Sequence, residues 1–116
     1  MTGNALSKAE VIEAVWHTVA RLAGGATIET VSPRSRIAQA DYERTLEDYG
    51  RTLVVPPAEA YAGIEPTLTD PPEEGVWMVD APFWTVEEGC SDLSIEVTVA
   101  RGRHGVDVMI DDVRVP

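Results

Sequence analysis

The stretch Val76 to Leu93, VWMVDAPFWTVEEGCSDL, decides how the chain reads. It holds two of the three tryptophans, the only phenylalanine and the only cysteine. Val76 to Thr85 is apolar on both alternating faces. Trp77, Val79, Ala81 and Phe83 share one face and Val76 and Met78 the other, which predicts a central strand buried on two sides. Pro82 has no N–H to give to a ladder, so a bulge or bend is expected there. Glu87 to Asp92 reads as a hairpin loop. Beyond it Leu93, Ile95, Val97 and Val99 alternate with Ser94, Glu96 and Thr98, the pattern of a half-buried antiparallel strand.

The strands continue in both directions. Gly102 to Gly105 reads as a turn, with His104 a solvated loop residue. Val106, Val108 and Ile110 then share one parity while Val113 and Val115 take the other. The flip at Asp111-Asp112 calls for a β-bulge or twist. Upstream, Asp70-Pro-Pro-Glu-Glu-Gly75 is a turn, because proline sets the backbone and glycine accepts positive φ. Ile64 to Thr69 reads as an edge strand, where Pro66 can face outward. A meander in the order 64–69, 76–85, 93–101, 105–115 is expected, since sequential strands usually neighbour in space.

The N-terminal half is helical. Ser7-Lys8-Ala9-Glu10 is a capping box, in which the Ser7 hydroxyl accepts the Glu10 N–H and the Glu10 carboxylate accepts the Ser7 N–H. Val11, Val15, Val19 and Leu22 follow at helical spacing, widened by Ile12 and Trp16, and Gly24-Gly25 supplies a left-handed stop. This predicts a helix over residues 8–23, with residues 1–6 a flexible terminus. Residues 26–38 fit a helical turn or an extended connector equally well. A second helix runs from about Gln39 to Gly50, with Tyr42, Leu46 and Tyr49 as its apolar stripe. Arg51 to Val55 fits a strand or a buried extended linker, and Ala58 to Tyr61 one further turn.

Helices followed by strands make an α+β domain spanning residues 1–116, its helices packed on a curved, mainly antiparallel four-stranded sheet. Trp16, Trp77 and Trp84 are expected to anchor the interface between the layers. The arrangement resembles the cystatin-like or nuclear-transport-factor-like cone, a likeness of fold that carries no function by itself. The motif W-x-V-D-x-P-x-W-T-x-E-E-G-x-S-D-L over Trp77 to Leu93 also resembles the signature of a family of small uncharacterised bacterial proteins. Tyr49-Gly50-Arg51-Thr52-Leu53 and the C-terminal I-D-D-x-x-V fit the same pattern. The resemblance runs from about residue 10 onward and implies one intact domain with no settled activity.

Charge is the unusual global property. The net charge is −11, and it is lopsided: residues 1–58 carry seven acids and six bases, residues 59–116 thirteen acids and three bases. Such a field repels nucleic acid and anionic membrane and would steer a basic partner to the C-terminal half. No apolar run approaches the roughly 18 residues of a membrane span. Met1 to Ala5 lacks the basic and apolar regions of a secretory leader, and one cysteine permits no internal disulfide. The expected location is the cytoplasm.

Candidate chemistry lies in the carboxylates Asp80, Glu87, Glu88, Asp92, Asp107, Asp111 and Asp112. No D-x-D-x-D-G calcium loop is present, and adjacent acids in a hairpin usually form a solvated tip, so no metal or cofactor is expected. Cys90 sits among Glu87, Glu88 and Asp92, which oppose thiolate formation and make it an inert thiol. Ser91 lacks a G-x-S-x-G context, and neither His17 nor His104 has a partner at ligand spacing. The leading expectation is a binding protein that docks a basic protein, in the manner of an immunity-type inhibitor, through Asp80, Trp84, Glu87, Glu88, Asp92, Asp111 and Asp112. The alternatives are a small-molecule pocket of isomerase or cyclase type, lined by the tryptophans with Asp80 as base, and a module that forms a homodimer through its sheet.

Overall fold

In the computed structural model, which describes residues 6–69, 75–102 and 105–116, the helices form one layer and the strands the other. Helix α1 spans Lys8–Ala23 and begins with the full capping box: Ser7 Oγ accepts the Glu10 N–H at 3.1 Å and Glu10 Oε1 accepts the Ser7 N–H at 2.9 Å. At its end the N–H groups of Gly25 and Ala26 return to the carbonyls of Leu22 and Arg21, satisfying two of the orphan acceptors of the last turn. The ambiguous connector contains one short helix, α2 (Ile28–Val31). Helix α3 spans Gln39–Tyr49 and stops at Gly50, whose φ of 70° is a left-handed conformation suited to glycine.

The strands are β1 (Leu53–Val54), β2 (Thr67–Leu68), β3 (Val76–Thr85), β4 (Gly89–Gly102) and β5 (Gly105–Arg114). All pair antiparallel in one curled sheet. Strand β3 is central, but its outer neighbour is divided. β1 pairs with Trp84 and Thr85 at one end, while β2 pairs with Trp77 and Met78 at the other. The expected meander is therefore present, with the edge strand cut to two residues and Arg51–Val55 contributing a second short piece. Between the two pieces Tyr61, fully buried, donates its hydroxyl to the Pro82 carbonyl at 2.5 Å.

The sheet curls at two register shifts. One lies between Pro82 and Trp84, where the expected irregularity falls, but the extra residues belong to the partner strand. Phe83 alone faces Ser91, Asp92 and Leu93, between the pairs Pro82↔Ser94 and Trp84↔Cys90. Ser91, buried, donates its hydroxyl to the Phe83 carbonyl at 2.9 Å and accepts the Leu93 N–H at 3.2 Å, standing in for the lost ladder bonds. The second shift falls at Asp111, the extra residue between Glu96↔Asp112 and Val97↔Ile110. This is the bulge that the parity flip required, and it keeps both Ile110 and Val113 buried.

The hairpin loop is shorter than expected. Gly89, at φ 72°, closes a three-residue turn of Val86 to Glu88, so Cys90, Ser91 and Asp92 already belong to β4. The turns at Asp70 to Glu74 and at Arg103-His104, and residues 1–5, lie outside the described residues.

One face of the sheet packs on the helices. Val79, Ala81, Phe83, Leu93, Ile95, Val97, Val99 and Ile110 meet Val11, Val15, Val19 and Leu22 in one continuous core. The tryptophans do not anchor that interface. All three are half-buried, Trp16 and Trp77 at its rim, and the aromatic interior belongs to Phe83, Tyr61 and Tyr42. Trp16 instead donates its ring N–H to the carbonyls of Pro56 and Pro57 (3.2 and 3.0 Å), pinning the segment after β1. Trp84 points to the far face because its neighbour Phe83 points in. Two-sided burial of β3 also fails: on the far face Asp80 is exposed and Met78 retains 37% of its surface.

Tyr61 and Tyr42 differ in one respect that urea unfolding can read. The Tyr42 hydroxyl is buried with no hydrogen-bond partner among the described residues, and burial pushes its pKa up to about 12. Tyr61→Phe should cost about 1–2 kcal/mol by orphaning the Pro82 carbonyl, whereas Tyr42→Phe should be neutral or stabilising. Equal losses would refute this assignment. Ser91→Ala should cost about 1–3 kcal/mol for the same reason as Tyr61→Phe.

Candidate functional site

Five of the seven acids named from the sequence separate into three groups; Asp107 and Asp92 stand apart, Asp92 exposed near the start of β4. Glu87 and Glu88, at the β3–β4 turn, tie that turn to the corner between α3 and β1. Glu87 accepts the Thr52 N–H at 2.9 Å and the Thr52 hydroxyl at 3.1 Å. Glu88 accepts the Tyr49 hydroxyl at 2.7 Å and the Thr85 hydroxyl at 3.2 Å. Tyr49 in turn accepts the backbone N–H of Asp92 at 3.2 Å. The two carboxylates are exposed yet engaged. Hydrogen bonding to the Thr52 N–H holds the Glu87 carboxyl below the usual range, and donation to Glu88 holds the Tyr49 phenol above its own.

The second group lies on the sheet face turned away from the helices. Asp80 pairs with Glu96 on the next strand, and Glu96 pairs with Asp112 on the one after. Three carboxylates thus form a row across three strands, with neighbours at the spacing where like charges repel. Arg114 forms ion pairs with Glu96 and, at 3.6 Å, with Asp112. Asp80 has no hydrogen bond or ion pair among the described residues. Trp84 and Cys90, directly opposite each other, lie further along this face.

Asp111 forms the third group alone. The bulge leaves only 16% of its side chain exposed, where it accepts the Thr98 hydroxyl at 2.7 Å and pairs with Arg36 at 3.2 Å. That is a role in holding the connector between α2 and α3 against β5. Asp107 is likewise paired, with Arg34 at 2.9 Å.

Sequence reading missed Glu96 as the centre of the carboxylate row. Its outward parity is visible in the alternation, but its partners follow only from the two register shifts. It also missed that Tyr49 and Thr52 receive the acidic turn. Among the described residues no cluster of histidine, cysteine and carboxylate side chains has metal-binding geometry, and no helix is long and apolar enough to cross a membrane.

The segments that carry the family resemblance, Tyr49 to Leu53 and Trp77 to Leu93, meet in space at this corner. The chain belongs to a family described as a domain of unknown function, DUF7668, whose pattern matches residues 19–116, from the middle of α1 to the last residue. No curated protein and no solved structure matches it significantly.

The Glu87 contacts give the fold an acid-sensitive corner. Because the folded pKa is depressed, their contribution is complete above the ordinary carboxyl value of 4.5 and is lost as pH falls through the lower folded value. Glu87→Gln should therefore flatten the acid limb of a stability–pH curve. An unchanged slope between pH values of about 5 and 3 would rule the contacts out as a contributor.

Proposed function

We propose that this domain is a binding protein that docks a basic protein through the outer face of its sheet. The observation that carries this reading is the row Asp80, Glu96 and Asp112, held on three adjacent strands with Arg114 as its ion-pair partner. Like charges directly opposite one another cost stability in the free protein, and a cationic partner would turn that cost into attraction. The acidic C-terminal half adds long-range steering. An immunity-type inhibitor of a bacterial toxin is the concrete form, with the carboxylate row occupying a basic cleft. The reading is favoured over a small-molecule pocket because Asp80 faces away from the concave side, which core side chains fill. Glu87, Glu88 and Asp111 serve the fold in this reading, which leaves Asp80, Asp112, Trp84 and Asp92 of the original set, joined by Glu96.

Two measurements test it. Asp80→Thr should raise stability by roughly 0.2–1 kcal/mol, because it removes a cross-strand repulsion and places a β-favouring residue there. A destabilised variant would mean that Asp80 serves the fold. A photo-crosslinking residue at Ser94, beside the row, should capture a basic protein from native extract at low salt, and capture should vanish in Asp80→Asn/Glu96→Gln/Asp112→Asn. Equal capture from a crosslinker at Glu47 on α3, or capture indifferent to salt and to the triple substitution, would sink the proposal.

A further inference from the structure

Strand β5 is the last in the sheet, and its outer edge is covered at one point. Ile110 donates its N–H to Ser32 Oγ at 3.1 Å, and its carbonyl accepts the Arg36 N–H at 2.8 Å. Backbone groups of an antiparallel strand alternate between its two sides. The register is unbroken through Val97↔Ile110, Val99↔Val108 and Arg101↔Val106. Val108 and Val106 therefore turn their N–H and C=O groups to this same edge. Among the described residues no backbone or side-chain group outside β4 bonds them.

Two open grooves follow that edge, one on each side of the sheet, with volumes of about 380 and 270 Å³. Val31, Val106 and Val108 line both. The groove on the helix side is rimmed by Glu10, Glu13, His17 and Arg21, and the other by Pro33, Arg34, Asp107 and Met109. An unpaired backbone with a trough on either side is what an added strand requires, since its side chains alternate between the two faces.

We propose that Gly105–Met109 is a strand-addition site for an extended, basic segment of a partner protein. The occupant follows from charge. A lysine or arginine entering the helix-side groove would lay its aliphatic stem on the valines and bring its cation to the exposed Glu13 carboxylate, since Glu10 is already engaged by the Ser7 N–H and by Arg101. A second copy of this chain would bring another −11 charge to an edge that already carries Asp107. The site is separate from the outer-face carboxylate row, so either can fail without the other.

The test uses the full chain, amide NMR and two blocked hexapeptides, one alternating lysine with valine and the other glutamate with valine. The basic peptide should shift the amides of Val106 and Val108 most, in a salt-sensitive manner, and the acidic one should not. Val108→Pro removes an outward N–H while leaving the β4 ladder whole, so the variant should stay folded and bind the basic peptide about tenfold more weakly or worse. Asp107→Pro, which removes an inward donor, should instead disrupt the β4–β5 pairing. Shifts confined to the residues around Asp80, Glu96 and Asp112, equal binding of both peptides, or unimpaired binding by a folded Val108→Pro would each overturn the proposal. So would concentration-dependent shifts of the same amides without peptide, accompanied by a dimer in sedimentation, because the edge would then belong to a second copy.

Discussion

The Ser91 hydroxyl bridges the one place where the central hairpin cannot pair normally. Pro82 offers no donor, and three residues of β4 face the single Phe83. By donating to the Phe83 carbonyl and accepting from Leu93, Ser91 lets the two strands resume pairing in a new register. That register decides both faces at once. It sets Phe83 and Leu93 together in the core, and it places Asp80 opposite Glu96 on the outside. A buried serine in this position is a structural substitute for backbone, its hydroxyl spent on those two bonds.

A second constraint joins the halves of the chain. Gly50 ends α3 in a left-handed turn, Thr52 follows, and both its amide and its hydroxyl meet Glu87 at the hairpin turn. Tyr49 completes the joint by donating to Glu88 and accepting from Asp92. Acids that look like a free, solvated tip when read along the chain are thus the clasp that holds the hairpin to the helical layer. Their geometry is consumed locally, which leaves the carboxylates of the open face to act on something else.

Much of this is legible in the sequence. The Ser7–Glu10 box and the valine spacing delimit α1, and the parity flip at Asp111-Asp112 locates a bulge. What was not legible depends on partners distant in sequence. Alternation shows that Glu96 faces outward, but not that it meets Asp80 and Asp112. Hydrophobicity marks the tryptophans as core, yet the inward turn of Phe83 commits Trp84 to the other side. The shortened turn at Val86 to Glu88 required knowing that Gly89 would close it at once.

The divided edge of β3 has a consequence for self-assembly. A strand added to β5 would extend the sheet on that side alone. At the opposite border β1 and β2 are two residues each, with the buried Tyr61 bonded to Pro82 between them. Among the described residues no continuous template remains there for another chain. Growth by repeated edge pairing needs two usable borders per molecule, so this architecture admits a single terminating addition and disfavours a propagating fibre.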